Sequence, residues 1–329
     1  MRAAALLRVE HLRVEFPTRH ATLVAVDDVS FAIGAGEVLG VVGESGAGKS
    51  VTGAAIIGLI DPPGRIAAGR IFFAGERIDD LPAERLRRIR GKRIGTIFQD
   101  PLTSLNPLYS IGRQLVETIA THSELTPRQA RARAIELLAE VGIPAPAERF
   151  DHYPHHFSGG MRQRVVIALA LCGNPQLIIA DEPTTALDVS IQAQIIALLK
   201  KLCRDHGMAV MLITHDIGVI AETADRVAVM YAGRIAEIGP LRDIVKQPRH
   251  PYTVGLMGSI PSLSGATERL AQIDGAMPRL NEIPGGCAFH PRCAHAFARC
   301  RAERPELIAD GASAAACWLY APAATGGHG

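Results

Sequence analysis

Aromatic side chains make up only 5% of the 329 residues, with a single tryptophan, and neither sign of charge prevails: Lys and Arg total 35, Asp and Glu 33. A polycation that coats nucleic acid needs a large positive excess, and a solvated disordered chain needs few apolar residues. The formal net charge of +2 excludes the first and the 48% hydrophobic content the second, so no nucleic-acid partner is expected. Long apolar runs are also missing. The longest, Val165 to Gly173 and Met208 to Ile213, fall well below the roughly 18 to 20 residues that cross hydrocarbon. The opening "MRAAALLRVEHLRVEF" meets charged residues at once and does not fit the apolar core and cleavage site of a secretory signal, so a cytoplasmic chain is expected. Heptads are not sustained anywhere, which disfavours a coiled-coil insertion.

The length exceeds that of a usual single core and predicts one large domain with an appendage. The apolar, β-branched run Glu37-Val38-Leu39-Gly40-Val41-Val42 leads directly into Gly43-Glu44-Ser45-Gly46-Ala47-Gly48-Lys49-Ser50. These eight residues fit G-x-x-x-x-G-K-[ST] in a strand–loop–helix context. There, glycines let successive backbone amides converge on phosphate oxygens, and the helix N-terminus adds the positive end of its dipole. Lys49 is expected on the β- and γ-phosphates and the Ser50 hydroxyl on Mg²⁺, with Val51 the next nucleotide neighbour. A second apolar strand, Leu177 to Ala180, ends in Asp181 and Glu182. Asp181 suits the magnesium shell and Glu182 the attacking water, although acids at a strand end are also simply solvated. A third, Ala209 to Ile213, ends in Thr214-His215-Asp216. Carboxyl ends of parallel strands share one rim where ligands bind, so His215 can meet a γ-phosphate there; a structural histidine is the other reading.

Lys49 and Asp181 stand 132 residues apart, far more than one crossover helix requires, so an inserted unit is predicted. It holds Gln99, the polar stretch "LTSLNPLYS", and a helix opened by Thr126-Pro127-Arg128-Gln129: threonine as N-cap, proline at the first helical position, glutamine at N3. Ala134, Leu138 and Val141 give that helix one apolar face, and Gly142 ends it. The insertion closes at "FSGGMRQR", where Ser158, Gly159 and Gly160 open another helix. By itself that is an ordinary N-cap.

In this order the elements resemble the ATP-binding subunits of ABC transporters: the phosphate loop, a Q-loop at Gln99, the signature Ser158-Gly159-Gly160, the acids Asp181-Glu182, a D-loop Ala186-Leu187-Asp188 and a switch His215. Met161 and Phe157 depart from the commonest signature, which has glutamine and leucine there, but neither change removes the serine hydroxyl or the glycine amides. The resemblance implies an α/β P-loop NTPase fold over residues 1–240, with a helical subdomain at about 100–165. It further implies ATP and Mg²⁺ as ligands, the latter on Ser50, Gln99 and Asp181, and Glu182, His215 and Gln99 as catalytic residues. Ser158, Gly159 and Gly160 would close on the nucleotide of a second ATPase subunit. An aromatic residue upstream of the loop would stack on adenine; Phe16 is the candidate, with a core or edge aromatic as the alternative.

Three stretches, "GTIFQDPLTSLNP", "DEPTTALDVSIQAQI" and "RHPYTVGLM", resemble the subunits that energise dipeptide and oligopeptide importers, with the related nickel importers as the alternative. The partners this implies are a second, different ATPase chain, two permeases and an extracytoplasmic binding protein, with this chain peripheral on the cytoplasmic membrane face. The region 241–329 then reads as a small C-terminal domain carrying Cys287, Cys293, Cys300 and Cys317. Four such thiols can hold a [4Fe–4S] cluster or zinc, or stay unligated, and His290 or His295 could replace one; relatives favour the cluster. Cys172 and Cys203 are expected to be buried and inert. Two rivals, a soluble ATPase of DNA repair or translation and a regulatory metal module with a vestigial nucleotide fold, lack support: there is one phosphate loop, and none of its acids, glycines or lysine is missing.

Overall fold

The structure, a computed structural model, describes residues 5–185, 187–259 and 273–321. Its strands are β1 (Leu7–Pro17), β2 (Thr22–Ile33), β3 (Val38–Val42), β4 (Arg65–Phe73), β5 (Glu76–Arg77), β6 (Ile94–Ile97), β7 (Leu177–Asp181), β8 (Ala209–Thr214), β9 (Arg226–Tyr231), β10 (Arg234–Pro240), β11 (Ile308–Asp310) and β12 (Ser313–Ala315). Among the described residues they form two sheets, an antiparallel one ordered β2-β1-β4-β5 and a larger mixed one ordered β11-β12-β10-β9-β3-β8-β7-β6. β1 alternates until His11, where a positive φ of 49° and a register shift mark a bulge. The bulge keeps Leu7, Val9, Leu12 and Val14 all inward. At the centre of the larger sheet β6, β7, β8, β3 and β9 run parallel. With both faces covered they read as continuous apolar runs, and every residue of β3 and β8 is buried.

The predicted insertion is helical. Helices Ile111–His122, Pro127–Glu140 and Gly159–Leu171 pack together beside the sheet. The expected capping box at Thr126 is formed, its amide donating to Gln129 Oε1 at 2.9 Å and its hydroxyl accepting from the Gln129 amide at 3.4 Å. Ala134, Leu138 and Val141 are fully buried.

Residues after 240 do not hang free of this body. β12 pairs with β10 and so lengthens the ATPase-type sheet by two short strands. Buried Glu237 of β10 accepts from the amides of Arg249 and His250, at 2.8 and 2.9 Å. His250 in turn caps helix Pro251–Gly258, its Nδ1 accepting from the Tyr252 amide at 3.1 Å. Arg304 pairs with Asp27 of β2 at 3.0 Å, tying the tail to the smaller sheet as well.

Burial holds the His250 pKa at about 4, against an ordinary 6.5. Between those values the unfolded chain binds the extra proton, so stability rises with pH through the window. It is complete above the upper value and falls toward the lower one by at most roughly 3 kcal/mol. Melting should therefore drop more steeply between pH ~7 and ~5 in the parent than in His250→Asn, whose amide oxygen can still cap Tyr252. Equal slopes would remove His250 as the cause.

Candidate functional site

β3 delivers the chain into Gly43–Ser50, and helix Lys49–Ile56 begins immediately. Its N-cap, Gly48, is left-handed at φ 96°, and a Cβ there would lie 2.7 Å from the Ala25 carbonyl, so only glycine makes this turn. Lys49 is buried, its Nζ donating to the Gly43 and Glu44 carbonyls at 2.8 and 3.0 Å. Burial lowers its pKa, partly offset by the charges of Glu182, Asp181 and Glu44. An ammonium that places two of its three donors on carbonyls of its own loop, with carboxylates nearby, can exchange those carbonyls for phosphate oxygens.

The parallel register brings the other groups to the same rim. Val42 lies opposite Thr214, and Asp181 opposite Ile213, so the residues that follow β3, β7 and β8 emerge side by side. The Ser50 hydroxyl donates to Asp181 Oδ1 at 2.9 Å. Burial raises the Asp181 pKa against the lowering pull of Ser50 and Lys49, with Glu182 adding to the rise. A hydroxyl and a carboxylate in contact are hard oxygen donors of the kind Mg²⁺ takes, so the donor chemistry fits. Glu182 follows with φ 46°, a strained conformation for a side-chain-bearing residue, its amide donating to the Ile213 carbonyl at 2.8 Å. Its carboxylate accepts from Gln99 Nε2 and Thr185 Oγ1, both at 2.9 Å, and lies 3.3 Å from His215 Nδ1. Burial pushes the Glu182 pKa up, but Thr185, His215 and Lys49 together hold it below the ordinary range.

Phe16, near the end of β1, shares a cleft with Ser50, Val51, Phe98 and Asp181. Gln99, Glu182 and His215 are thus brought together, as are Ser50 and Asp181. Ser158, Gly159 and Gly160 are not among the residues lining that cleft. Ser158 caps its own helix, accepting from the Met161 amide at 3.4 Å, and a Cβ on Gly160 would come within 2.7 Å of Ile191. Gly160 is therefore required by the fold as well as by any ligand. Of the D-loop, Ala186 lies outside the described residues, while Asp188 is the N-cap of helix Val189–His206. Sequence reasoning missed Thr185, which sits three residues past Glu182, and two residues of the tail that reach Glu44: Tyr252, whose hydroxyl accepts from the Glu44 amide at 2.9 Å, and Arg292, which pairs with the Glu44 carboxylate at 2.9 Å. Only the "RHPYTVGLM" stretch signalled either.

Cys172 and Cys203 are buried, as expected. Among the described residues no group of three or more His, Cys, Asp or Glu is arranged to hold a metal ion, so the ligand set expected at Cys287, Cys293, Cys300 and Cys317 is unsupported by the geometry. Burial pushes Cys287 up to about 11, against the pull of the Phe289 amide and with the fields of Cys300, Cys317 and Cys293 adding, and burial likewise raises Cys293 and Cys317. A metal would have to displace these protons.

The pattern of the ABC transporter family matches residues 26–185, and that of the oligopeptide/dipeptide transporter C-terminal region matches residues 236–300. The dipeptide transport ATP-binding protein DppD of Escherichia coli is 50% identical over 93% of this chain and 94% of its own length. The chain belongs to the ABC transporter ATP-binding family. DppD of Bacillus subtilis is 48% identical over 95% of this chain and 94% of its own. Among solved structures, the dimeric ATP-binding cassette MJ0796 bound to ADP and Pi superposes with a TM-score of 0.64 at 29% identity, covering 72% of this chain and 99% of that one. CbiO1 of Clostridium perfringens gives the same score and identity over 77% and 95%. As a member of this ABC family, the protein is an ATPase coupled to transport.

Replacing the Glu182 carboxylate by its neutral isostere keeps the shape and removes the proton acceptor that its expected role requires. Glu182→Gln should bind ATP as the parent does and release phosphate at least about a hundredfold more slowly. Parental turnover would reject Glu182 in that role.

Proposed function

We propose that this chain energises import of dipeptides or oligopeptides, gripping ATP between its phosphate loop and the signature of a second, different ATPase chain, while its own Ser158-Gly159-Gly160 closes on the nucleotide of that chain. The observation that carries the reading is the meeting of Gln99, Glu182 and His215 on one carboxylate beside the Ser50–Asp181 pair. Identity of about half with named dipeptide-transport subunits supports the substrate class. The dimeric structure of a similar cassette bound to ADP and Pi supports pairing with a second ATPase chain.

In this reading Phe16 stacks on adenine, Lys49 and the amides of Gly43–Ser50 hold the phosphates, and Ser50, Asp181 and Gln99 would hold Mg²⁺. When bound, the ion would neutralise charge on the triphosphate. Glu182 orients the attacking water and takes its proton while His215 steadies the carboxylate; the bond from the γ-phosphorus to ADP breaks as the new P–O bond forms. The partner's signature presents donors to the γ-phosphate, as Ser158, Gly159 and Gly160 of this chain do for the partner's nucleotide, the same anion physics as the phosphate loop, so that loss of the γ-phosphate opens the pair. Gln99 and the helices at about 100–165 pass the motion to two permeases. We place the protein on the cytoplasmic membrane face, with the permeases served by an extracytoplasmic binding protein; among the described residues no helix is long and apolar enough to cross a membrane. Residues 1–240 form the ATPase unit and 241–329 the tail.

Affinity purification from membranes should recover two hydrophobic permeases and a second ATPase, and Lys49→Ala in this chain should abolish uptake of labelled dipeptide. Recovery of ribosomes or DNA instead, or uptake of nickel alone, would overturn the peptide reading.

The iron–sulfur cluster rests on the resemblance alone, with zinc as its alternative. Protein purified without oxygen that is brown, with about four iron atoms per chain, would restore it; colourless protein whose four tail thiols react freely would remove it.

A further inference from the structure

Glu44, the second residue of the phosphate loop, is held by four partners. Its amide donates to the Tyr252 hydroxyl at 2.9 Å, its carboxylate takes Arg292 Nη1 at 2.9 Å, and its carbonyl accepts from Lys49 Nζ at 3.0 Å and from the Ala47 amide at 3.1 Å. Two of the four come from the tail, and neither anchor is loose. Tyr252 is fully buried, its ring packed on Tyr231 and Phe289 with centroids 4.7 and 5.5 Å away. Its backbone is fixed by the His250 cap, and the His250 amide is bound by Glu237. The Arg292 side chain is 8% exposed. Its remaining donors reach the carbonyls of Asp274, Ile273 and Gly275 and the Tyr231 hydroxyl. A planar guanidinium fixed at that many points is a rigid strut. The tail also lies against the loop's second glycine: a Cβ on Gly46 would meet the Met277 methyl at 3.0 Å.

We propose that Tyr252 and Arg292 are positioning residues of the phosphate loop, fixing its first turn at Glu44 so that the region after residue 240 sets part of the affinity for ATP. The contacts hold both peptide planes that flank Glu44. When phosphate oxygens take the Lys49 ammonium, the Glu44 carbonyl keeps only the Ala47 amide, at 3.1 Å, and the two tail contacts hold the amide and side chain of the same residue. Preorganisation of this kind acts on binding, because a loop already in shape loses less conformational freedom when the ligand arrives. The hydrolytic group at Glu182 is reached through other strands, so the effect belongs in affinity and not in the chemical step. The "RHPYTVGLM" stretch acquires a physical purpose as the segment that carries Tyr252 to the loop.

The inference rests on the loop being the nucleotide site, and the test separates the two. Full-length protein is titrated with a fluorescent ATP analogue in Mg²⁺, well below the melting temperature of each variant, and turnover is measured at saturation. Tyr252→Phe, which removes one hydroxyl and keeps the ring, should weaken binding about threefold to tenfold with saturated turnover within about twofold of the parent. Arg292→Met should weaken it at least as much, with part of the loss recovered in Arg292→Lys. The double variant Arg292→Met with Glu44→Gln should bind no worse than the weaker single, because both remove one contact. Parental affinity in Tyr252→Phe and Arg292→Met, or additive losses in the double variant, would overturn the proposal and leave the tail as packing only. Should Arg292→Met fail to fold, Tyr252→Phe decides alone. A Lys49→Ala control that still binds the analogue would refute the loop as the site, a failure distinct from that of the tail.

Discussion

The alignment of three parallel strand ends governs this molecule. Backbone hydrogen bonds place Val42 opposite Thr214 and Asp181 opposite Ile213. Parallel pairing makes all of these strands finish at the same edge of the sheet, where no further ladder bonds constrain the chain. One residue later on β3 comes the phosphate loop, one later on β7 comes Glu182, and one later on β8 comes His215. A slip of one residue on β7 would turn Asp181 to the other face of the sheet and break its contact with Ser50. The apolar run of β3, β7 and β8 is therefore as much a part of the site as the acids are, since burial on both faces is what fixes the register.

Electrostatics at that rim are arranged around an anion still to come. Lys49 sits among its own loop carbonyls with its pKa lowered by burial, while burial raises Asp181 and a ring of donors lowers Glu182. Two adjacent acids are pushed in opposite directions: at Asp181 burial and the charge of Glu182 outweigh the Ser50 hydroxyl and Lys49, whereas at Glu182 the Thr185 hydroxyl, His215 and Lys49 outweigh burial. Environments that separate neighbouring acids in this way suit them to different roles. The strained φ of Glu182 aims the second acid apart from the first.

The signature and the tail illustrate how one feature can serve two masters. Gly160 is packed against Ile191 inside the chain, where a Cβ would force a shift. The tail adds strands to the sheet edge and places Tyr252 and Arg292 against the phosphate loop. An appendage so joined, through β12, Glu237 and Arg304, shares its stability with the body it decorates.

The order of motifs along the chain determined the fold class, the phosphate loop, the paired acids, the helical insertion and its capping box, because each is local: a glycine turn, a strand-end acid or an N-cap acts within a few residues. It also fixed which residues would face one another on the rim, since parallel strands leave little choice of edge. Contacts between segments far apart were decided only in three dimensions. Thr185 on Glu182, Ile191 against Gly160, and Arg292 on Glu44 across 248 residues depend on side-chain packing that no periodicity encodes.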